Sequence, residues 1–327
     1  MSALLIDRHG RRKGKLRVSL TDRCDFQCVY CMPERPRWRP AERLIRAPEL
    51  HRLVGLMVRR LGIQALRLTG GEPLLREDLE GLIADLAPLR AQGLQRISLT
   101  TNAARLAGRA RALRAAGLDD LNISLDAVDD AVFRRLSGGH PVAPVLAGIE
   151  AAVAAGLPVK LNMVVMRGLN QEQLLPTARW AFERGLPLRL IEFMPLDGRG
   201  GWSADQVVGE AELIEALSRH YTVQALPEDA APAREYRLDG EHRLGVISTI
   251  SNPFCTRCDR IRLAADGRLY SCLFAAGGPD LLGALREGAD DDALEALIRD
   301  TVRDKPAGYI ARPGYVERPI TMHGLGG

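Results

Sequence analysis

The chain has 327 residues, 46% hydrophobic and 26% charged, the balance of a folded globular protein rather than a disordered one. Its net charge of +4 is too small to argue for a nucleic-acid partner, and no apolar run approaches the ~20 residues of a membrane span. The opening apolar run, Ala3 to Ile6, is too short for the core of a signal peptide, so a cytoplasmic protein is expected.

In chain order the first element is a strand, Leu16 to Thr21, and the loop behind it carries Cys24, Cys28 and Cys31. Three thiols in eight residues point to a bound metal group, because free cysteine has no packing reason to cluster on a loop. A structural zinc closes its tetrahedron with four ligands, and this run offers neither a fourth Cys nor a His. Three thiolates on an iron–sulfur cubane leave one iron open to an outside chelator. The spacing C-x3-C-x2-C, with Tyr30 before the third Cys, resembles the radical S-adenosylmethionine (SAM) family. That resemblance implies a [4Fe-4S] cluster whose open iron is chelated by SAM and whose electron cleaves SAM to a 5′-deoxyadenosyl radical.

Helix-period and strand-like runs then alternate: helix Pro48 to Leu61, strand Ala65 to Thr69, helix Asp78 to Gln92, strand Arg96 to Thr101, helix Ala104 to Ala116 and strand Asp120 to Leu125. Helix Ala143 to Ala155, strand Val159 to Val165, helix Gln171 to Arg184 and strand Leu188 to Phe193 complete six βα units. This alternation predicts an α/β fold with a parallel sheet, an incomplete (β/α)6 barrel of TIM type whose active site lies at the C-terminal strand ends. Polar or Gly-rich stretches follow every strand but the fifth, among them Gly70-Gly71-Glu72-Pro73, Thr101-Asn102, Ser124 with Asp126, and Met194.

Near Leu196 the pattern changes, which divides the chain into a barrel region, 1–196, and a C-terminal α+β extension, 197–327. The extension reads as a helix from Glu210 to His220, short strands from Tyr236 to Ile250 around an Asp239-Gly240 turn, and helices Asp280 to Glu287 and Asp292 to Val302. It holds Cys255, Cys258 and Cys272, with a hairpin signal at Asp266-Gly267. Taken alone this second set reads as a zinc ribbon borrowing His242 or His323; beside the first set it reads better as a second iron–sulfur cluster. Arg260 and Arg262 fall on one strand face there, a fork suited to phosphate. Arg17, Arg67, Lys160 and Arg189 are likewise embedded in apolar strands, and only four of the 45 basic residues are Lys. A buried cation needs an anion, and several pointing into one barrel fit a polyanionic substrate such as a nucleoside triphosphate.

The cysteine loop with Met32-Pro33, Arg67-Leu-Thr-Gly-Gly-Glu-Pro, Leu99-Thr-Thr-Asn, Asn122-Ile-Ser-Leu-Asp-Ala, Ile191-Glu-Phe-Met, Phe254-Cys-Thr-Arg-Cys-Asp-Arg-Ile-Arg-Leu, Ser271-Cys-Leu-Phe and the terminal Gly326-Gly327 resemble the GTP 3′,8-cyclase family of molybdenum-cofactor biosynthesis. The resemblance covers nearly the whole chain. It implies two [4Fe-4S] clusters, SAM as cofactor and GTP as substrate, the radical taking the ribose 3′ hydrogen before the sugar attacks C8. It assigns SAM contacts to Tyr30, Gly71, Ser124 and Met194. GTP contacts fall to Arg17, Arg67, Thr100, Lys160, Arg260, Ile261 and Arg262, and the catalytic machinery to Arg189, Gly326 and Gly327. It further implies a flavodoxin or ferredoxin as electron donor and a downstream cyclic pyranopterin monophosphate synthase, with a homodimer as one open assembly. Ala103 stands where that family usually has Gly. A radical SAM peptide-modifying maturase and a non-catalytic metal or nucleotide sensor are the competing readings.

Overall fold

A computed structural model describes residues 4–227, 231–308 and 321–326. The backbone of the molecule is one mixed sheet. Strands β1 (Lys15–Ser19), β2 (Ala65–Thr69), β3 (Arg96–Thr101), β4 (Asp120–Ser124), β5 (Val159–Val165) and β6 (Leu188–Glu192) lie side by side in chain order, each parallel to the next. Parallel neighbours need crossovers, supplied by α1 (Ala47–Leu61), α2 (Leu79–Leu86), α3 (Ala110–Ala115), then α4 (Asp130–Ser137) with α5 (Ala143–Ala154), and α6 (Leu174–Phe182). Helix α1 shows why such a segment folds: Glu49 closes a capping box at Arg46, and Gly62 ends the helix at φ +70°. Its Leu50, Leu53, Val54, Met57 and Leu61 form the buried stripe against the sheet.

The C-terminal region does not stand apart from this sheet. After α7 (Glu210–Ser218), β7 (Val223–Ala225), β8 (Arg234–Leu238) and β9 (His242–Ile247) form a meander whose last strand runs parallel to β6. The hairpin β10 (Arg260–Leu263) and β11 (Leu269–Tyr270) then crosses to the opposite edge, where β10 runs parallel to β1. Among the described residues eleven strands result, with the extension flanking the six-stranded barrel on both sides. Helices α8 (Leu281–Arg286) and α9 (Asp291–Arg303) follow, and a single turn, α10 (Met322–Leu325), ends the described chain.

Three helices differ most from expectation. The run Asp78 to Gln92 is α-helical only to Leu86 and continues as 3-10 turns from Ala87 to Gln92. Instead of beginning at Ala104, α3 is delayed to Ala110, because Ala103 takes a left-handed φ of +63° and the chain turns before it can wind. That is a glycine-like conformation at the position where the family pattern has Gly. Helix α4 lies in a stretch read as a connection; Asp129 caps it by accepting from the Val132 N–H, and Phe133 and Leu136 bury its inner face.

Candidate active site

Strand alternation builds the site. Along β5, Val159, Leu161, Met163 and Val165 point outward into the helix layer, so Lys160, Asn162 and Val164 point inward; β1 likewise turns Leu16 and Val18 outward and Arg17 inward. The inward residues line a cavity of about 490 Å³, and all six cysteines lie on its wall. None of the six is in a disulfide.

The first cysteine loop is seated by backbone contacts from the β2 loop. Gly71 N–H donates to the Thr21 carbonyl at 2.7 Å and Glu72 N–H to the Arg23 carbonyl at 2.8 Å. A Cβ on Gly71 would lie 2.2 Å from the Arg23 oxygen, so only glycine permits this approach. Glu72 itself is buried and accepts from Thr101 Oγ1 (2.6 Å), Asn102 N (2.7 Å) and Leu74 N (2.9 Å), while Asn102 Nδ2 reaches back to Asp25 beside Cys24. Burial raises Glu72 to about 7 against the pull of those hydrogen bonds. Tyr30 donates its hydroxyl to Asp126 Oδ2 at 2.6 Å, and burial raises Asp126 to about 6. Burial, reinforced by Asp126, pushes the Cys31 thiol up to about 12; the Cys24 and Cys28 thiols are raised as well, by burial first and then by Glu72 and Asp126 respectively. Ser124, Gly71 and Met194 line the same cavity.

Cations dominate the other wall. Register places Arg262, Arg17 and Arg67 directly beside one another across β10, β1 and β2. Burial lowers Arg67 and Arg262 each to about 10, Arg262 further because of Arg260; Arg17 is lowered by burial and then by Arg262, Arg67 and Arg260. Among the described residues the acidic contact of Arg67 is a long one to Asp120, 3.7 Å, and its Nη1 is buried without a hydrogen bond. Asp120 is already held by Arg96 Nε and Ser98 Oγ, both at 2.6 Å. Lys160 and Arg189 continue the set, both lowered by burial first. Among them Thr100 Oγ1, Asn122 Oδ1 and Asn162 Oδ1 are also buried without a partner. Orphaned polar atoms around one cavity call for a polar ligand.

The second cysteine set faces the opposite electrostatics. Burial would raise the Cys258 thiol, but Arg260 and Lys305 bring it down to about 6. His242 stacks on Phe182, and His323 bonds to Thr321 and touches Cys31, so neither histidine proposed for a zinc ribbon belongs to this set. The tail enters the barrel mouth: the Gly326 carbonyl accepts from Arg262 Nη1 at 2.8 Å, at φ +75°, where a Cβ would sit 2.5 Å from Thr69 Cγ2. Gly327 lies outside the described residues.

Of the residues singled out in the sequence, the six cysteines, Tyr30, Gly71, Ser124, Met194, Arg17, Arg67, Thr100, Lys160, Arg189, Arg260 and Arg262 share this cavity. Ile261 does not. Between two inward arginines it must face outward, and its side chain is fully buried in the main core, leaving only its backbone to the site. Glu72, Asp126, Asn122, Asn162 and Lys305 also line the cavity and were not chosen from the sequence. Glu72, Asp126 and Asn122 lay inside the motifs quoted for the resemblance, the signal that could have found them.

Residues 18–181 match the Radical SAM superfamily and residues 186–310 match Molybdenum Cofactor Synthesis C. A radical SAM protein is thus what fold and cysteine loop define, a class that carries a [4Fe-4S] cluster and SAM. Among solved structures, Streptococcus suis SuiB bound to S-adenosylmethionine shares the fold, with a TM-score of 0.60 at 13% identity over 91% of this chain and 66% of that one. Relatives named GTP 3′,8-cyclase 2 in Mycobacterium tuberculosis and GTP 3′,8-cyclase in Mycobacterium marinum are 45% and 44% identical, each over 99% of this chain and 92% of the relative. The chain belongs to the GTP 3′,8-cyclase family. No helix among the described residues is long and apolar enough to cross a membrane.

Proposed function

We propose that this chain converts GTP to (8S)-3′,8-cyclo-7,8-dihydroguanosine 5′-triphosphate in molybdenum-cofactor biosynthesis. The observation that carries the reading is that one cavity joins two three-thiol loops across a wall of cations, Arg262 buried and the others half-buried. Each donor set suits a [4Fe-4S] cluster with one open iron: three thiols, no disulfide, and for the second set two cations beside a sulfur. Cys24, Cys28 and Cys31 would hold the first cluster, and Cys255, Cys258 and Cys272 the second. When bound, the first cluster and SAM supply the 5′-deoxyadenosyl radical.

The chain's own residues bind, orient and exclude water. The Arg262, Arg17 and Arg67 row, with Arg260 and Lys160, holds the triphosphate; a trianion or tetra-anion there offsets the burial and, after it, the neighbouring positive charges that lower Arg17, Arg67 and Arg262. Thr100 Oγ1, Asn122 Oδ1 and Asn162 Oδ1 offer otherwise unused hydrogen bonds to nucleoside hydroxyls and base edges. Tyr30, Gly71, Ser124 and Met194 orient SAM. Gly326 and Gly327, with Arg189, set the geometry for hydrogen abstraction while the tail closes the mouth. A cytoplasmic setting, a flavodoxin or ferredoxin donor and a downstream cyclic pyranopterin monophosphate synthase complete the reading.

The test is an anaerobic assay of reconstituted protein. Reduction with SAM and GTP is expected to yield 5′-deoxyadenosine, consume GTP and show about eight irons per chain, a pair of four-iron cubanes. Cys24→Ser is expected to abolish SAM cleavage while keeping the second cluster. Stoichiometric zinc on the second set would end the two-cluster reading, and SAM cleavage indifferent to GTP would end the cyclase reading.

A further inference from the structure

The loop that bears Cys255 and Cys258 is gripped from behind by a buried charge network that the reaction above does not use. Lys305, 2% exposed, donates from Nζ to Cys258 Sγ at 3.3 Å and to the Arg260 carbonyl at 2.9 Å. Lys13, fully buried, donates to the Cys258 carbonyl at 2.6 Å and pairs with Asp7 at 2.8 Å. Arg11 shares Asp7 at 2.7 Å and donates to the Cys255 carbonyl at 2.6 Å. These groups meet because β10 runs beside β1, which brings the segment before β1 and the second residue after α9 to the same loop.

One carboxylate serves Arg11 and Lys13 together, whereas Lys305 spends its charge on a sulfur. Burying a lysine is costly unless an anion meets it, and besides the Arg260 carbonyl the acceptor it faces is a sulfur that a metal would hold as thiolate. The first set has carboxylates for neighbours instead: Tyr30 donates to Asp126, and Asn102 joins Glu72 to Asp25 beside Cys24. Net charge and hydrogen bonds to sulfur are among the levers that set an iron–sulfur potential.

Resting on the second-cluster reading above, we propose that Lys305 is a positioning residue that raises the reduction potential of the cluster on Cys255, Cys258 and Cys272. The step is a one-electron reduction with no proton: the electron, from an external low-potential reductant, adds negative charge to the cluster and its thiolates. A fixed ammonium donating to Cys258 Sγ stabilises that reduced form over the oxidised one.

The experiment is a redox titration of the reconstituted full chain, followed by electron paramagnetic resonance with dithionite as reductant. It is run on Cys24→Ser protein, where only the second set keeps three thiols, with and without Lys305→Met. Lys305→Met is expected to move the oxidised-to-reduced ratio at fixed potential at least tenfold toward oxidised, about 59 mV for one electron. Lys305→Arg is expected to stay within about threefold of the parent, about 28 mV on the same scale. Iron retained with an unchanged potential in Lys305→Met overturns the proposal. A Cys24→Ser parent without iron overturns the second-cluster reading instead, and the proposal with it. Should Lys305→Met lose its iron, Lys305→Gln, which keeps a donor without the charge, decides by the same shift.

Discussion

Arg67→Met separates substrate binding from stability because the two should move in opposite directions. A guanidinium held at about 10 rather than 12.5 is disfavoured as a cation by roughly 3 kcal/mol. Its side chain is one quarter exposed, so solvent screening leaves about 1 kcal/mol of that as a real gain when the charge is removed. Met keeps the buried methylenes, Asp120 Oδ2 keeps Arg96 and Ser98, and Asp120 Oδ1, already without a hydrogen bond, loses only a 3.7 Å contact. Unfolding of the cluster-free protein, followed by circular dichroism, should therefore show Tm unchanged or higher by about 2–4 °C. Loss of one charge-assisted phosphate contact costs about 1.5–3 kcal/mol, roughly ten- to a hundredfold in Kd for GTP. Guanosine, which lacks the triphosphate, should bind as before in the same calorimetric titration. A lower Tm, or equal losses for GTP and guanosine, would refute the assignment of this row to phosphate.

Gly71→Ala should push the Cys24 loop away by placing a methyl against the Arg23 carbonyl, so iron bound per chain should fall toward half; full iron content would show that the loop yields. Gly326→Ala combines a positive φ with a 2.5 Å clash and should release the tail, as should deletion of Gly326 and Gly327: both clusters and GTP affinity survive while product formation drops, and full turnover would return the tail to a passive role. At Asp7, burial opposes ionisation but hydrogen bonds from Lys13 and Arg11 win and hold the carboxyl at about 2, below its ordinary 3.8. Its contribution is therefore present above about pH 4 and lost as pH falls through 2, roughly 2 kcal/mol in all. Asp7→Asn should be less stable at neutral pH and should lose less between pH 4 and 2 than the parent; parallel acid curves would contradict this.

The barrel strands were legible because each carries its own signal. Ala65–Thr69, Arg96–Thr101 and Val159–Val165 have the bounds that alternation alone suggests, and the charged residues on their inner faces stood out against apolar neighbours. The delayed start of α3 was not legible, since a left-handed Ala103 overrides a sequence that favours helix throughout. Nor was the joining of β9 and β10 to the barrel edges, which depends on pairing between residues far apart in the chain. Lys305 shows the cost for the site: in Arg303-Asp304-Lys305-Pro306 it looks like surface, and only the β1–β10 pairing buries it. Asn122 and Asn162 are neutral polar residues in strands, a pattern equally suited to a solvated face, until the cavity leaves their oxygens without partners.

The two borrowed edge strands also impose an order on the making of the molecule. Lys15 leaves the ribosome some 245 residues before Arg260, its eventual neighbour. At roughly 5–20 residues per second, β1 waits about 12–50 s with one edge bare, and β6 waits more briefly for β9. Pairings of such long sequence separation form slowly, and bare parallel edges invite association with other chains. The cysteine loop after β1 is therefore complete in sequence long before the sheet beside it is, so a nascent chain displays the first three thiols while the wall that will shield them is still being translated.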